Sequence, residues 1–325
     1  MPHAIRFHKT GGPEVLQWEE VNLSAPGPGE ARVQHKAVGL NYIDTYHRTG
    51  LYPMPLPSGI GLEAAGVVEA VGAGVTEFKP GDRVAYCNGP LGAYSEAKNH
   101  PADRLVKLPE GISFEQAASM MLQGLTVQYL LRRMLIVPKS GDTILWHAAA
   151  GGVGLIACQW ARALGVNMIG TVGSEEKAKL ARDNGCAHTV IYTKEDFQAK
   201  VMEITGGKKV PIVYDSVGKD TWSKSLDCLQ TRGLMVSFGN SSGAVGPTDL
   251  GILAAKGSLY VTRPTLMSYV GKREELVAAA KELFDHVLAG RIKVAPRQSY
   301  ALKDAAQAHR DLESRKTTGS TVLVP

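Results

Sequence analysis

The sequence predicts an α/β protein of two domains, one a parallel sheet covered by helices on both faces, the other β-rich and barrel-like. Three observations carry this. The chain has 325 residues, and domains run to about 100–200 residues each. From Gly141 onward, strand-like and helix-like segments alternate, which implies a parallel sheet. The first third instead holds short apolar segments punctuated by Gly and Pro-Gly.

In chain order, "APGPGEARVQHKAVGL" reads as a turn and a strand, and "AAGVVEAVGAGV" and "FKPGDRVAYC" as further strands bounded by turn residues. "SFEQAASMMLQGLTVQYLLRRM" has the apolar spacing of one helix behind a Ser113–Gln116 capping pair. "DTILWH" (142–147) is a short apolar strand, and "GGVGLIACQWARALG" a helix closed by Gly165. "VNMIGTV" and "SEEKAKLARDNG" repeat the pattern, as do "HTVI" and "EDFQAKVMEITGG". "VPIVYDSVG", "DTWSKSLDCL", "RGLMVSFG" and "GSLYVTR" supply three later strands and one helix. Two helical stretches, "REELVAAAKELFDHVLAG" and "LKDAAQAHRDLES", precede a last strand, "STVLVP".

Composition narrows the function classes. Apolar residues make up 44% and charged residues 21% of the chain, ordinary values for a soluble globular protein. The formal charge of +5 is mild and its Lys and Arg are scattered. It suits an anionic cofactor and is weak evidence for nucleic acid. Cys87, Cys158, Cys186 and Cys228 form no CxxC pair, so neither a zinc ribbon nor a redox dithiol is indicated, and a reducing compartment is expected. "MPHAIRFHKT" lacks the features of a signal peptide. No apolar run reaches about 18 residues, so no membrane span is expected. These readings point to the cytoplasm.

The most specific local signal is "HAAAGGVG" (147–154). Ala149, Gly151 and Gly154 hold the three positions of G-x-G-x-x-G, after a strand and at the start of a helix, the context a dinucleotide fingerprint requires. Gly151 lets the backbone approach a pyrophosphate, Gly154 lets the helix pack on the strand, and the helix N-terminus offers N–H groups to phosphate. Ala149 can replace the first glycine if its φ stays negative. The parallel-sheet domain is therefore a Rossmann domain. NAD sites carry an acid about 20 residues further on, at the next strand tip; Gly173 stands there instead. Ser174 can donate a hydrogen bond and Lys177 a charge to a 2′-phosphate. Glu175 and Glu176 run against this unless they act as first-turn dipole partners pointing outward. NADPH is the expected cofactor.

"GLNYIDTYHRTGLYP", "PSGIGLEAAGVVEAVG", "GDRVAY", "AAAGGVG", "VYDSVG", "GLMVSFGNSSG" and "ESRKTTGSTVLVP" together resemble the medium-chain dehydrogenase/reductase superfamily. Within it the chain is similar to the zeta-crystallin-like quinone oxidoreductases, over essentially its whole length. The resemblance implies a GroES-like catalytic domain over 1–122 and 265–325, and a Rossmann domain over 123–264, with NADPH in the cleft between them. Zinc alcohol dehydrogenases of this superfamily read G-x-C-H-[ST]-D and G-H-E-x-x-G. Here the thiolate position is Asn41, the relay hydroxyl position is Ile43 and the histidine ligand is Leu62. The lobe that would carry four structural cysteines has only Cys87. Catalytic zinc needs three protein ligands with N, S or O donors, so no metal is expected.

Without a Lewis acid, alcohol oxidation should be disabled, whereas a quinone or an alkene conjugated to a carbonyl stabilises its own reduced form. Positioning and hydrogen-bond donors then supply most of the effect. The candidates are Asn41, Tyr46 and Tyr52, with Asp44 orienting them or accepting a donor; either tyrosine can be wall or hydrogen bonder. The resemblance adds cofactor contacts: Thr126 and Asn41 toward the nicotinamide, Gly152 and Val153 over the pyrophosphate, and Tyr192 by the adenosine. It further implies Ser216, Phe238, Asn240 and Arg263 near later strand ends, and Arg315 returning to the adenosine phosphate. The implied activity is zinc-independent, NADPH-dependent quinone reduction. Reduction of enals, enones or enoyl thioesters is an alternative on the same site, and single-stranded RNA binding an alternative of another class. Electron transfer one at a time or as hydride stays open. A homodimer is implied by the resemblance, and "GSLYVTRP" is a candidate paired edge.

Overall fold

A computed structural model describes residues 1–325. Two compact units emerge, one of Met1–Leu125, Tyr269–Gly290 and Val294–Pro325, the other of Thr126–Ser268 and Arg291–Lys293. The short segment Arg291–Lys293 thus leaves the first unit, where the sequence reading kept it. The reason is a reciprocal amide pair: Gln159 Nε2 donates to Lys293 O (3.1 Å), and Lys293 N donates to Gln159 Oε1 (2.7 Å).

The first unit is a barrel-like set of strands. Across its larger sheet run Pro296–Ala301, Ser320–Val324, Glu30–Leu40, Glu63–Val71, Arg83–Tyr86 and Val106–Lys107, with Ala97–Pro101 also on Glu30–Leu40. All pairs are antiparallel except that of the first two strands. Phe7, Val38, Ile60, Tyr86, Leu105 and Leu323 meet in its core. The single helix expected after Ser113 is two, Phe114–Ala118 and Met121–Arg132. The capping box of Ser113 and Gln116 forms. The break follows because Leu122 N donates to the buried Glu63 Oε1 (2.9 Å) while Ser119 O accepts Ser320 Oγ (2.9 Å).

The second unit is a six-stranded sheet in the order His188–Ile191, Asn167–Val172, Thr143–Trp146, Val210–Asp215, Leu229–Ser237, Tyr260–Thr262, parallel throughout. Leu145, Ile169, Val213 and Met235 from four neighbouring strands are fully buried. Such strands read as continuous apolar runs because helices cover both faces. The order reverses between Thr143–Trp146 and Val210–Asp215, and open sheets of this kind bind ligands at the carboxyl ends beside that reversal. No helix is long and apolar enough to cross a membrane.

Candidate active site

Three turns at the carboxyl edge of the parallel sheet carry the cofactor candidates. The first follows Thr143–Trp146. The left-handed residue of this turn is Ala148 (φ 58°), and Ala149 is not among the positive-φ residues; this is the condition under which alanine can stand for the first glycine. The Ala149 methyl lies in the niche left by Gly170, where an added Cβ would come within 2.6 Å of it. Gly151 caps the helix Gly152–Ala163, and no side chain caps its first turn. The amides of Gly152, Val153 and Gly154 therefore face outward with the positive dipole end. A Cβ on Gly154 would meet Ala148 O at 2.5 Å and Ala149 C at 2.6 Å, whereas one on Gly151 meets only Ala148 O at 3.3 Å. These surroundings fit a pyrophosphate.

The second turn follows Asn167–Val172. Ser174 caps the helix Glu175–Asp183 by accepting from Lys177 N at 3.2 Å. Its hydroxyl proton stays available to an anion. A Cβ on Gly173 would lie 2.9 Å from Tyr192 Oη, so the ring of Tyr192 covers the place an NAD-selecting acid would take. Glu175 turns to Lys194 (3.2 Å), which offsets the charge that ran against a 2′-phosphate.

The third turn follows Val210–Asp215 and carries Ser216. Beside it, Arg263 Nη1 donates to Ser237 O (2.8 Å) and Gly239 O (3.3 Å) and, with the Asn240 amide oriented so that its oxygen faces the guanidinium, Arg263 Nη2 donates to Asn240 Oδ1 at 2.8 Å. Arg263 and Asn240 thus clamp the turn that bears Phe238, whose ring lies 5.6 Å from that of Trp146. Thr126 is buried on Met121–Arg132. Arg315 belongs to the first unit, in a left-handed turn (φ 61°) just after the helix Ala305–Glu313.

In the first unit, Asn41 caps the helix Tyr42–Thr49 in a reciprocal box with Asp44. Asn41 N donates to Asp44 Oδ2 (2.9 Å), Asn41 Nδ2 donates to Glu63 Oε2 (2.6 Å), and Gln123 Nε2 donates to Asn41 Oδ1 (3.2 Å). Tyr94 Oη donates to Asp44 Oδ2 (2.9 Å) and lies 3.2 Å from His309 Nε2, whose Nδ1 faces Arg48 Nη1 at 2.8 Å. Arg48 in turn pairs with Glu313 at 2.7 Å. Asp44 Oδ1 is buried without a partner. Burial pushes Asp44 up to about 7 and Glu63 up to about 8. The rings of Tyr46 and Tyr52 meet edge-on at 5.2 Å, with Tyr46 buried and Tyr52 half-buried.

The sequence reading missed Glu63, Tyr94, His309 and, in the second unit, His147 and Asp215. The signal for Glu63 was an acid inside the apolar run "IGLEAAG". Tyr94 and His309 meet across 215 positions, and no local pattern announces that.

A parallel sheet with a pyrophosphate loop at its reversal point, joined in one chain to a β-barrel unit, defines a medium-chain dehydrogenase/reductase. Residues 152–285 match the zinc-binding dehydrogenase family and residues 27–110 the alcohol dehydrogenase GroES-like domain. The chain is 59% identical to a quinone oxidoreductase of Pseudomonas aeruginosa, covering 100% of both. It is 48% identical to a 2-haloacrylate reductase of a Burkholderia species, covering 100% of this chain and 99% of that one. The crystal structure of Escherichia coli quinone oxidoreductase complexed with NADPH superposes with a TM-score of 0.98 at 58% identity, covering 99% of this chain and 100% of that one. The chain belongs to the quinone oxidoreductase branch of the medium-chain dehydrogenase/reductases. The zinc that the wider family's description implies does not fit the residues here: Leu62 has no donor atom, and the Asn41 amide is bonded to Glu63 and Gln123.

Proposed function

We propose that the protein reduces quinones with NADPH and without zinc. The observation that carries this is full-length similarity to quinone oxidoreductases at 59% identity, on a fold whose phosphate turns suit NADPH. The cofactor supplies the hydride. The chain's part is to hold it and the acceptor. The amides of Gly152, Val153 and Gly154 receive the pyrophosphate. Ser174 and Lys177 receive the 2′-phosphate, and Tyr192 packs by the adenosine. Ser216, Phe238, Asn240 and Arg263 shape the nicotinamide end, with Thr126. Tyr52 and Tyr46 form an aromatic wall with hydroxyls for the developing oxyanion. Asn41 keeps one amide N–H for the same purpose, since the other goes to Glu63. Asp44 holds the helix start that presents them.

A second reading is reduction of an activated alkene, supported by the 48% identity to a 2-haloacrylate reductase. Steady-state oxidation of NADPH with a panel of quinones and enones decides: rapid turnover of an enone with no turnover of any quinone overturns the first reading. We further propose a homodimer. The edge strand Tyr260–Thr262 exposes Tyr260 (46%) and Val261 (40%), an unpaired apolar edge that invites a partner. A monomeric mass in solution rules it out. Four free, buried cysteines suit a reducing cytoplasm.

A further inference from the structure

The ends of three neighbouring strands of the second unit are joined by a buried chain of side-chain hydrogen bonds. Thr171 Oγ1 lies 2.9 Å from His147 Nδ1, His147 Nε2 lies 2.9 Å from Ser225 Oγ, and Ser225 Oγ lies 3.1 Å from Asp215 Oδ2. None of the four residues is more than 2% exposed. The proton directions follow from the carboxylate end. Asp215 only accepts, so Ser225 donates to it and receives the proton on His147 Nε2. Burial holds His147 below the ordinary imidazole value despite the pull of Asp215, so the ring is neutral and Nδ1 accepts from Thr171. Asp215 Oδ1 in turn accepts from Val217 N (2.8 Å) and Gly218 N (2.9 Å).

A Ser, a His and an Asp in contact suggest a nucleophile triad, but here Ser225 stands between His147 and Asp215 and gives its proton to the acid and not to the base, and it has no exposed surface. The placement indicates another role. Thr171 stands two residues before Gly173, His147 opens the phosphate turn, and Asp215 precedes Ser216. The backbone repeats the tie: His147 N donates to Tyr214 O (3.0 Å) and Ala149 N to Thr171 O (3.1 Å). Between them sits Ala148 at φ 58°, a conformation that a residue with a Cβ keeps only where its surroundings impose it.

We propose that His147, with Thr171, Ser225 and Asp215, is a positioning network that fixes the three cofactor turns relative to one another and so sets the geometry of hydride transfer. This rests on the NADPH reading above. Cofactor affinity is spread over many contacts, whereas misplacement by about 1 Å can cost a hundredfold in rate. The expected signature is therefore in rate and not in affinity.

The test uses Thr171→Val, which keeps shape and loses the hydroxyl, Ser225→Ala, and Thr171→Ser, which restores a hydroxyl. In nitrogen-labelled wild type, NMR should find His147 as the Nε2–H tautomer. Thr171→Val and Ser225→Ala should lower kcat about tenfold or more, with Kd for NADPH within about threefold. The isotope effect with NADPH deuterated at the transferring position should rise, and Thr171→Ser should recover both readouts. An Nδ1–H tautomer overturns the inference. So does unchanged kcat, or a proportional loss of affinity and rate with a constant isotope effect, which general loosening would give. Wild type that shows the Nε2–H tautomer but binds no NADPH sinks the cofactor reading, and the network's role with it. Wild type that binds NADPH while both variants keep kcat sinks the inference alone.

Discussion

Asp44 and Glu63 meet through Asn41, and their titration sets how stability of the first unit depends on pH. In an unfolded chain both carboxyls ionise near pH 4; burial pushes them up to about 7 and about 8. Between those limits the native state holds more protons than the unfolded one, so stability is full below the lower limit and falls as pH rises through the upper. Asp44→Asn mimics the neutral acid: its oxygen can take the Asn41 and Tyr94 donors, and its NH₂ falls where Oδ1 has no partner. Urea unfolding should find the variant more stable than wild type at about pH 9, on the order of 2–4 kcal/mol, with the gap narrowing as pH falls and closing below about pH 4. Parallel pH profiles would remove Asp44 as the cause. In the second unit, Lys177→Ala should weaken NADPH by about 1–3 kcal/mol and barely affect NADH; equal losses in fluorescence titrations would place the ammonium away from the 2′-phosphate. The place of Lys177 in the first turn of Glu175–Asp183, behind the Ser174 cap, was readable because strand tip, cap and helix are consecutive in sequence. The Asp44–Tyr94–His309 chain was not, because its members lie 50 and 215 positions apart and meet only in the folded unit.

At the scale of elements, the phosphate turn separates two uses of glycine. A Cβ on Gly154 runs into the backbone of Ala148 and Ala149. The helix Gly152–Ala163 must then shift, at a cost of about 1–3 kcal/mol. Gly151 has φ −78°, open to any residue, and a methyl there meets only Ala148 O at 3.3 Å, which a shift of a few tenths of an ångström relieves. Gly154→Ala should lower both the melting temperature and NADPH affinity, and Gly151→Ala should lower affinity alone; calorimetry with cofactor titration separates them. The strand–helix alternation that frames this turn was legible because each element carries its own period, cap and closing glycine. Other features were not, the helix Tyr42–Thr49 and the strand Pro296–Ala301 among them. Pro296–Ala301 alternates between exposed and half-buried along its length and lacks the apolar run of a core strand. The break after Ala118 depends on Glu63, 59 positions away from Leu122, while the local apolar spacing continues through it.

For the whole molecule, the loss of the metal donors and the choice of acceptor belong to one argument. Leu62, Asn41 and Ile43 together lack the ligands that hold a catalytic zinc and the hydroxyl that relays an alcohol proton. Purified protein should contain no stoichiometric zinc by elemental analysis, and chelators should leave activity intact; one zinc per chain refutes this. An alcohol needs its hydroxyl deprotonated before hydride can leave, and nothing at Asn41, Ile43 or Leu62 does that, so ethanol with NADP should give no turnover. A quinone asks less, because its reduced oxygen is a stable phenolate and needs only donors held in place. Tyr52→Phe keeps the ring against Tyr46 (5.2 Å) and deletes the hydroxyl. If that hydroxyl steadies the developing oxyanion, kcat with a quinone should fall by up to about a hundredfold. If Tyr52 only walls the site, Tyr52→Phe should leave kcat in place and Tyr52→Ala should mainly raise KM, as lost uniform binding does.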